Sequence, residues 1–417
     1  MMVSAMLSED GRQGRGPMEQ KRILVCSHWL EIGGAERALI GLLQQLSLSN
    51  HKVDLFLCRH SGELLPFIPE NITLLDEDPC AASIAVPIRQ TVRNGQYRVA
   101  LGRLLSKIHA AFYLHRHPSD KSNVAIEYSH KYTHKSVSHV GDKRPYDLVI
   151  SFQEPHYISA YRTSGRVKIA WMHTDYQTIS VDVQEGMRIW SQFDYIAAIS
   201  SRCAESFLKT FPGLKDKIVQ IENIIPESIV RQQSREFDAE YAMPADGSIR
   251  LLSVGRYCTA KNFDNVPDIC SRLIRAGLNI KWYIIGFGAD EDLIRRKIEE
   301  AGMQEHVILL GKKENPYPYI AACDLYVQPS RYEGNCVTVH EAQMLGKPVV
   351  ITRYGTSASQ LEEGVDGVIV PLDNEGCAAG IAQLLKDPER MQQLSENCLQ
   401  RDYSNAGEVQ KLYDMME

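Results

Sequence analysis

Arg331-Tyr-Glu-Gly-Asn-Cys-Val-Thr-Val-His-Glu341, continued by Ala342-Gln-Met-Leu-Gly-Lys-Pro-Val-Val350, is the stretch that decides the fold of this chain. Residues 324–328 before it and 348–352 within and after it are short apolar runs typical of buried strands. The loop 329–335 therefore follows the carboxyl end of one strand and precedes a helix. Because open α/β sheets bind ligands at that edge, the stretch predicts both the fold and a ligand site.

Two carboxylates, Glu333 and Glu341, stand eight residues apart around the start of this helix. The backbone N–H groups of Asn335, Cys336 and Val337 would be unpaired there and suited to an anion. Glu341 would lie about 9 Å further along the axis, at ~1.5 Å per residue. A carboxylate in that place can accept hydrogen bonds from both hydroxyls of a ribose. We therefore expect a nucleotide, with its phosphate at the helix start and its ribose at Glu341.

The bulk composition is that of an ordinary two-domain globular protein. The 417 residues suit two domains of about 200 residues each. The net charge of −6 argues against nucleic acid as a partner. The ten cysteines include no Cys-x-x-Cys pair, so we expect neither a zinc site nor a disulfide framework, and a reducing cytosol suits them.

Alternating strand and helix patterns divide the chain. We expect residues 1–20 to be a disordered tail, since they lack the apolar run of a secretory signal. Strand-like and helix-like segments then alternate through residues 21–225 and again through 226–402, with a polar linker near 226–248. No apolar run reaches 18 residues, so no membrane-spanning helix is predicted. The prediction is an α/β protein of two Rossmann-like, doubly wound domains and a cytoplasmic location.

Two cations follow the first strand of the second predicted domain. Arg256 comes directly after Val254-Gly255, and Lys261 stands five residues later. A nucleoside diphosphate that leaves a sugar gains negative charge, and fixed cations in a cleft stabilise that charge best in the transition state. Arginine can donate bidentately to a phosphate, and lysine adds a point charge.

These motifs resemble the retaining glycosyltransferases of family 4. Their E-x7-E signature corresponds to Glu333 and Glu341, their Gly-Arg…Lys element to Arg256 and Lys261, and their glycine turn to Gly286. The resemblance implies the GT-B architecture, two domains facing a cleft, and a last helix, here within 403–417, that crosses back to the first domain. It implies transfer of a hexose from a nucleoside diphosphate sugar to a glycan hydroxyl with retention of configuration. After the Glu-Gly pair that is here Glu333-Gly334, many relatives carry Phe-Gly, whereas this chain has Asn335-Cys336, so the resemblance does not define the sugar selectivity at that point.

In the first domain, the resemblance implies roles for residues at strand ends. Gly33 and Gly34 resemble the glycine-rich first loop, which lets backbone amides approach a phosphate or sugar oxygen. His173 resembles the family's histidine that faces the donor sugar. The resemblance implies catalytic roles for His173, Glu333, Arg256 and Lys261. Asp175 and Glu154 are candidates for positioning an acceptor hydroxyl.

We expect no metal and no cofactor, because Arg256 and Lys261 already supply positive charge for the diphosphate. Two other functions remain open. One is a sugar-nucleotide-binding protein without turnover, acting as a sensor or partner subunit, and the other is a sugar-nucleotide epimerase of the same fold.

Residues 88–144 depart from the rest of the chain in charge. They hold 11 Lys+Arg against 3 Asp+Glu, a net +8 in a chain whose net charge is −6. Within them, 97–116 has the pattern of an amphipathic helix. Leu101, Leu104, Leu105, Ile108 and Phe112 fall on one side, with Arg98, Arg103 and Lys107 interleaved. A basic amphipathic helix can lie on an anionic membrane surface, which would suit a lipid-linked glycan acceptor at the inner membrane face; an ordinary domain helix with a solvated basic face is the alternative.

Overall fold

Two parallel β-sheets, one in each half of the chain, organise the computed structural model, which describes residues 20–31, 33–119, 122–153, 156–177, 179–225 and 227–417. The predicted tail, 1–20, lies outside the described residues except for its last residue. Apolar runs with few polar interruptions form the central strands, as expected for parallel sheets covered on both faces.

The first sheet has seven strands. They are β1 (Arg22–Ser27), β2 (Lys52–Leu57), β3 (Thr73–Leu74), β4 (Tyr146–Phe152), β5 (Gly165–Met172), β6 (Tyr195–Ala198) and β7 (Ile218–Gln220). Their spatial order is β3-β2-β1-β4-β5-β6-β7. In register, Ile23 of β1 lies opposite Val53 of β2 on one side and Leu148 of β4 on the other. The order therefore reverses at β1, and ligands bind at such switch points of doubly wound sheets.

The second sheet repeats this plan with six strands. They are β8 (Ile249–Val254), β9 (Ile280–Ile285), β10 (Val307–Gly311), β11 (Leu325–Gln328), β12 (Val349–Thr352) and β13 (Val368–Val370). Their order is β10-β9-β8-β11-β12-β13, so the reversal falls at β8. The strands that enclose the E-x7-E stretch, β11 and β12, are those predicted from the sequence.

Helices cover both faces of each sheet. The first half contains α1 (Gly34–Ser47), α2 (Pro79–Ala82), α3 (Ile88–Arg93), α4 (Tyr97–Arg116), α5 (Val124–Thr133), α6 (His156–Tyr161), α7 (Val183–Trp190) and α8 (Ser201–Thr210). The second half contains α9 (Glu227–Gln233), α10 (Val266–Arg275), α11 (Glu291–Ala301), α12 (Tyr317–Ala322), α13 (Val337–Met344), α14 (Ser357–Gln360), α15 (Asn374–Leu385), α16 (Pro388–Leu399) and α17 (Val409–Asp414).

The segment predicted as a polar linker is packed rather than solvated. It contains α9, and the side chains of Val230 in α9 and Met243 beyond it are fully buried in the core of the second sheet. These two apolar residues are spaced too widely to produce a periodic pattern, so the polar composition around them misled the sequence interpretation. Burial of both side chains attaches this segment to the second domain.

The C-terminus returns to the first sheet. Leu412 in α17 is fully buried and belongs to the apolar core of that sheet, together with Met416. Glu408 accepts a hydrogen bond from the backbone N–H of Glu222 at 2.9 Å, and the Lys411 ammonium donates to the carbonyl of Gln220 at 2.9 Å. The last helix thus ties the two halves of the chain together beside the cleft.

Candidate active site

A cavity of about 130 Å³ lies between the two sheets, where the carboxyl ends of their strands face each other. We call it the interdomain cavity. Its walls come from the loops after β1, β8, β9 and β10 and from the first turns of α13. The lining residues are Gly33, Gly34, Arg37, Val254, Gly255, Arg256, Ile285, Gly286, Phe287, Lys312, Lys313, Pro316, Val337, Thr338 and Glu341. Five residues predicted to bind a donor (Gly33, Gly34, Gly286, Val337 and Glu341) and Arg256 therefore line one cavity.

Glu341 is fully buried, and its carboxylate has two partners. Arg37, from the first turn of α1 in the other domain, donates through Nη1 to both oxygens at 3.2 and 3.4 Å, and the Tyr317 hydroxyl donates at 2.8 Å. Burial opposes the charge on Arg37, but Tyr317 and Glu341 raise its pKa, so it stays a cation. The place predicted for a ribose is therefore occupied by a side chain of the opposite domain.

Glu333 and Lys261, both predicted to be catalytic, form an ion pair beside the interdomain cavity. The Lys261 ammonium donates to Glu333 Oε1 at 2.6 Å, and Ser330 donates to the same oxygen at 2.5 Å. Burial alone would lower the pKa of Lys261, but the interactions with Cys336 and Glu333 outweigh it, so the net pKa is raised and the ammonium stays charged. The lysine stem packs over Gly255, where an added Cβ would meet Lys261 Cε at 2.9 Å.

Positive charge exceeds negative charge in the interdomain cavity. Four cations line it, and Glu341 is the one carboxylate among its lining residues. Arg256 is exposed to the cavity and makes no recorded hydrogen bond with a described residue. Lys312 pairs with Glu63 of the first domain at 2.6 Å and lies over the Phe287 ring at 5.4 Å. This excess suits a polyanionic ligand.

Glycines keep the two loops of the cavity close to their neighbours. A Cβ on Gly286 would lie 1.9 Å from the Gly255 carbonyl oxygen, so only glycine allows the loops after β8 and β9 to touch. A Cβ on Gly33 would lie 2.0 Å from a carboxylate oxygen of Glu36, which folds back over the start of α1. Burial raises the pKa of the Glu36 carboxyl. A carboxylate of the chain therefore occupies the space that Gly33 leaves.

Two of the predicted donor-binding residues do not lie in the interdomain cavity. The Cys336 N–H is not free, because it donates to Gln360 Oε1 at 2.7 Å, and the Cys336 side chain is buried against Lys261. Asn335 lines a different, polar cavity between the domains, beside Arg202 of α8. The expectation of a free amide at Cys336 was wrong because Gln360, a residue of α14, accepts a hydrogen bond from it at the start of α13.

A second cavity, of about 510 Å³, lies in the first domain under α4, and we call it the α4 cavity. It adjoins the interdomain cavity at the start of α1, where Gly33 lines one and Glu36 the other. Its lining residues are His28, Trp29, Glu36, Ile84, Ala85, Arg103, Ser106, Lys107, Ala125, Ile126, Ser129, His130, Gln153, His173 and Thr174. His173, predicted to be catalytic, therefore lies in a cavity next to the predicted donor site.

The two nitrogens of His173 are shielded from solvent. Burial lowers the pKa of this imidazole from 6.5 to about 3, and the nearby Asn223 side chain offsets the shift only in part. His173 is consequently neutral at physiological pH. As a neutral ring it can accept or donate one hydrogen bond, but it cannot serve as a fixed cation.

Acidification should destabilise the protein partly through His173. Since its pKa is about 3 when folded and 6.5 at its ordinary value, the unfolded chain binds the extra proton, and stability falls as pH drops from 6.5 towards 3. We expect His173→Asn to flatten this part of the curve of unfolding free energy against pH, measured by urea denaturation. The control is His117→Asn at an exposed histidine. Parallel curves for wild type and His173→Asn would contradict the buried neutral ring.

Neither of the two residues predicted to position the acceptor, Asp175 and Glu154, is found in the α4 cavity among the described residues. Asp175 does not line the α4 cavity, because its carboxylate accepts from the Ser206 hydroxyl at 2.5 Å and from the Gln177 N–H at 3.0 Å, and pairs with Arg202 at 3.5 Å. Its side chain thus holds the loop after β5 against α8. Glu154 lies outside the described residues.

Sequence reasoning missed several residues of the site. Glu36 and Arg37 follow the predicted glycines directly, yet no role was assigned to them. Their position in the first turn of a helix at the switch point was the available signal. Trp29 gave no such signal, because its place in the α4 cavity depends on how the helices of the first domain pack.

The described residues contain no group of three or more His, Cys, Asp or Glu side chains arranged to hold a metal ion. An Asp-x-Asp pair could chelate a metal ion for a nucleotide diphosphate, and two such stretches, 76–78 and 290–292, occur in the sequence. In the first, Asp78 caps α2 by accepting from the N–H groups of Cys80 and Ala81. In the second, Asp290 precedes α11 and accepts from the Thr259 hydroxyl. Neither stretch lines the two cavities.

Comparison with known protein families gives a match for the second domain. The model of the family described as Glycosyl transferases group 1 matches residues 235–401, so this part of the chain is similar to that family. The resemblance deduced from the E-x7-E stretch is thereby confirmed.

Individual relatives agree with this assignment. The chain is 29% identical over 161 residues to the lipopolysaccharide core biosynthesis glycosyltransferase LpsE of Rhizobium meliloti, covering 38% of this chain and 45% of LpsE. It is 32% identical over 139 residues to an N-acetylgalactosaminyltransferase of Campylobacter jejuni, covering 33% of this chain and 37% of the relative. The printed name of the Campylobacter enzyme gives it a diphospho-undecaprenol-linked acceptor. The matches thus span less than half the length of each of these two relatives.

Among solved structures, HepE of Anabaena in complex with UDP-glucose resembles the whole chain. The TM-score is 0.64 at 16% sequence identity, and the match covers 95% of this chain and 99% of HepE. A likeness at this identity concerns the fold. The predicted α/β class with two doubly wound domains in the GT-B arrangement is confirmed.

Proposed function

We propose that the protein is a retaining, metal-independent glycosyltransferase that moves a hexose from a nucleoside diphosphate sugar to a hydroxyl of a glycan or lipid-linked glycan. One observation carries the proposal. A cation-rich interdomain cavity that ends at Glu341 adjoins a large α4 cavity at the start of α1. A donor in the first and an acceptor in the second would meet there.

The donor site is proposed from its charges. Arg256 faces the interdomain cavity, where burial raises the pKa of the nearby Glu36 carboxyl and the charge of Arg256 lowers it in part, and Lys261 lies directly beside the cavity. As the bond from sugar to diphosphate breaks, negative charge grows on the phosphate, and these two cations would stabilise it. Glu341 would accept hydrogen bonds from the ribose hydroxyls.

For a donor to bind, its groups must replace side chains that now pair with each other in and beside the interdomain cavity. The cavity of about 130 Å³ is smaller than the ~300–1,000 Å³ typical of ligand pockets. Arg37 forms an ion pair with Glu341, and Glu333 forms an ion pair with Lys261. In the complex, the ribose would replace Arg37 as the partner of Glu341, and a phosphate would replace Glu333 as the partner of Lys261. The two domains would have to separate for the nucleotide to enter.

The proposed route of reaction takes into account the groups near the start of α1, where the interdomain cavity adjoins the α4 cavity. His173 is neutral and therefore suited to hydrogen bonding rather than to charge stabilisation. Attack of the acceptor hydroxyl on the same face from which the diphosphate leaves would give retention and pass the hydroxyl proton to the departing phosphate.

A donor screen tests the binding half of the proposal. UDP-, GDP- and ADP-sugars are compared by thermal shift, since a ligand that binds only the folded state adds about 2.7 kcal/mol at 100 times its Kd. One nucleotide should raise Tm well above the others. A chain that no sugar nucleotide stabilises would contradict the proposal. A binding protein and an epimerase would both pass this screen, so product analysis must separate them.

Removal of divalent metal should leave the rate essentially intact. The positive charge at the proposed diphosphate comes from Arg256 and Lys261, whose roles require no bound ion. Initial rates are measured with EDTA and with added Mg²⁺ or Mn²⁺. A rate that EDTA abolishes and that only one of these ions restores would contradict the metal-free mechanism.

We propose further that α4 docks on an anionic membrane. The predicted helix 97–116 is α4, and its five large apolar side chains, Leu101, Leu104, Leu105, Ile108 and Phe112, are between 44% and 61% exposed. The side that faces the domain carries small residues instead, such as Gly102, Ser106 and Ala110, all buried. The apolar stripe therefore points away from the protein, within a segment of net charge +8. Anionic lipid is the partner that satisfies both the stripe and the charge.

No helix among the described residues could span a bilayer. Docking would therefore rest on the stripe and on the basic side chains. Each cation near an anionic surface contributes about 1 kcal/mol, and the attraction fades over roughly 8–10 Å.

Co-sedimentation with vesicles checks the docking. Binding should rise with anionic lipid and fall with salt. It should drop in Arg98→Glu/Arg116→Glu, which reverses exposed charges, and in Leu101→Ser/Ile108→Ser, which removes apolar insertion. Leu48→Ser, at a leucine that is 80% exposed on α1's end, is the matched control and should bind as wild type. No binding at low salt to strongly anionic vesicles would favour a soluble acceptor instead.

A further inference from the structure

Arg103 is a partly buried cation that pairs with no carboxylate of the described residues. It belongs to the inner side of α4, so it does not contribute to the solvent-facing stripe with Arg98. Its Nη1 donates to the Ser83 carbonyl at 3.3 Å, to the Thr91 hydroxyl at 3.2 Å and to the Val86 carbonyl. These acceptors are neutral, and no acidic residue of the described chain pairs with Arg103. Burial lowers the pKa of this arginine, which reflects the missing counter-ion.

Lys107 extends this positive charge along the wall of the α4 cavity. It lies one helical turn after Arg103, about 6 Å further along the axis, and both residues line the cavity. Lys107 is exposed and makes no recorded hydrogen bond with a described residue. Ile126 of α5, which also lines the cavity, is 50% exposed. The cavity therefore has a rim, between α4 and α5, where a cation and an apolar side chain meet solvent.

The other lining residues of the α4 cavity differ in character. Trp29 offers an aromatic face of the kind on which sugar rings stack, and Glu36 and Gln153 offer acceptors for hydroxyl groups. The two cations belong to α4, whereas Trp29, Gln153 and Glu36 follow β1, follow β4 and begin α1, at the strand ends that face the interdomain cavity. An acceptor that is anionic at one end and a sugar at the other would match this order.

We propose that Arg103 and Lys107 bind the phosphate or diphosphate that joins the acceptor glycan to its lipid. The glycan then extends inward past Trp29 to the start of α1, and the lipid chain leaves past Ile126 towards the membrane under the α4 stripe. This assignment rests on the proposed function, which it deepens by naming the anionic group of the acceptor and the residues that hold it.

The test uses geranyl diphosphate, a water-soluble mimic of a lipid diphosphate, with the nucleotide from the donor screen kept saturating so that the interdomain cavity is filled. Binding is measured by calorimetry. Wild type should bind the probe, and geraniol and inorganic phosphate should each bind far more weakly. Arg103→Gln and Lys107→Gln should each weaken binding about tenfold or more, the loss typical of one charge-assisted hydrogen bond.

Arg296→Gln, at an exposed arginine on α11 that does not line the α4 cavity, is the control and should bind the probe as wild type. Since Arg103 also holds α2 and α3 in place, its variant could lose the fold. Lys107→Gln carries no such risk and decides the matter in that case. Unchanged binding in Lys107→Gln, or a loss seen only in Arg256→Ala, would overturn the assignment, because the probe would then lie in the donor site. Dependence on Lys107 in a protein that transfers no sugar would instead retain the lipid-phosphate site and refute the glycosyltransferase proposal.

Discussion

Replacing Arg256 by alanine should lower kcat by roughly 10²–10³, the loss seen when one fixed donor to a developing oxyanion is removed. The donor KM should change much less, because the interaction grows as charge develops in the transition state. Arg256 lies in the interdomain cavity, is exposed, and makes no hydrogen bond with another described residue; its charge acts only at a distance on the Glu36 carboxyl. Steady-state kinetics with the donor from the screen measures both constants.

Lys261→Ala should lower kcat similarly, but it also leaves the Glu333 carboxylate without its ammonium partner. Arg256 is therefore the cleaner probe. Arg296→Ala, at an exposed arginine on α11 that only approaches Glu300 at 3.8 Å, is the matched control and should keep full turnover. Near-normal kcat in Arg256→Ala/Lys261→Ala would refute the role of both cations.

Glu341→Ala should weaken binding of the free nucleotide by about 1.5–3 kcal/mol, or roughly 10- to 150-fold, because the ribose loses a charged acceptor. The Kd is measured by calorimetry. Glu341→Gln keeps the shape and an acceptor for Tyr317 but loses the charge, so an intermediate loss is expected. Glu299→Ala, at an exposed glutamate on α11, is the control.

Stability must be followed alongside affinity in these variants. Glu341 is fully buried and pairs with Arg37, and removing one partner of a buried pair typically costs about 3–5 kcal/mol. The Tm of the unliganded protein separates that cost from lost affinity. An unchanged nucleotide Kd in a folded Glu341→Ala variant would show that Glu341 does not contact the ribose.

The strands were predictable because they are short, apolar and bounded by polar turns. β11 at residues 325–328 and β12 at 349–352 each begin within one residue of the predicted runs and end where those runs end. Such runs are required wherever a parallel strand is buried on both faces, so local composition alone identifies them. The doubly wound class followed from their alternation with helices.

The helix α4 shows where periodicity stops being informative. Its predicted ends, Tyr97 and Arg116, match the structure. The same pattern was compatible with an apolar side packed into the domain or turned to solvent. Only the packing of α3 and α5 against the small residues of α4 determines that the large apolar side faces outward.

Contacts between the domains could not be predicted from spacing. Arg37 and Glu341 are 304 positions apart in the chain, and Lys312 and Glu63 are 249 apart. The sequence placed Glu341 at a nucleotide site, but it contained no sign that an arginine of the other domain would hold it. For the same reason, the cap that Gln360 provides to Cys336 was not foreseen.

Product analysis tests the central claim most directly. The protein is incubated with its preferred nucleoside diphosphate sugar, with and without a lipid-linked glycan, and the products are identified by mass spectrometry and NMR. The account predicts one nucleoside diphosphate released for each sugar added to the acceptor, with the anomeric configuration of the donor retained in the new linkage. Donor that binds but is never transferred, or that is converted to an epimer without any acceptor, would contradict it.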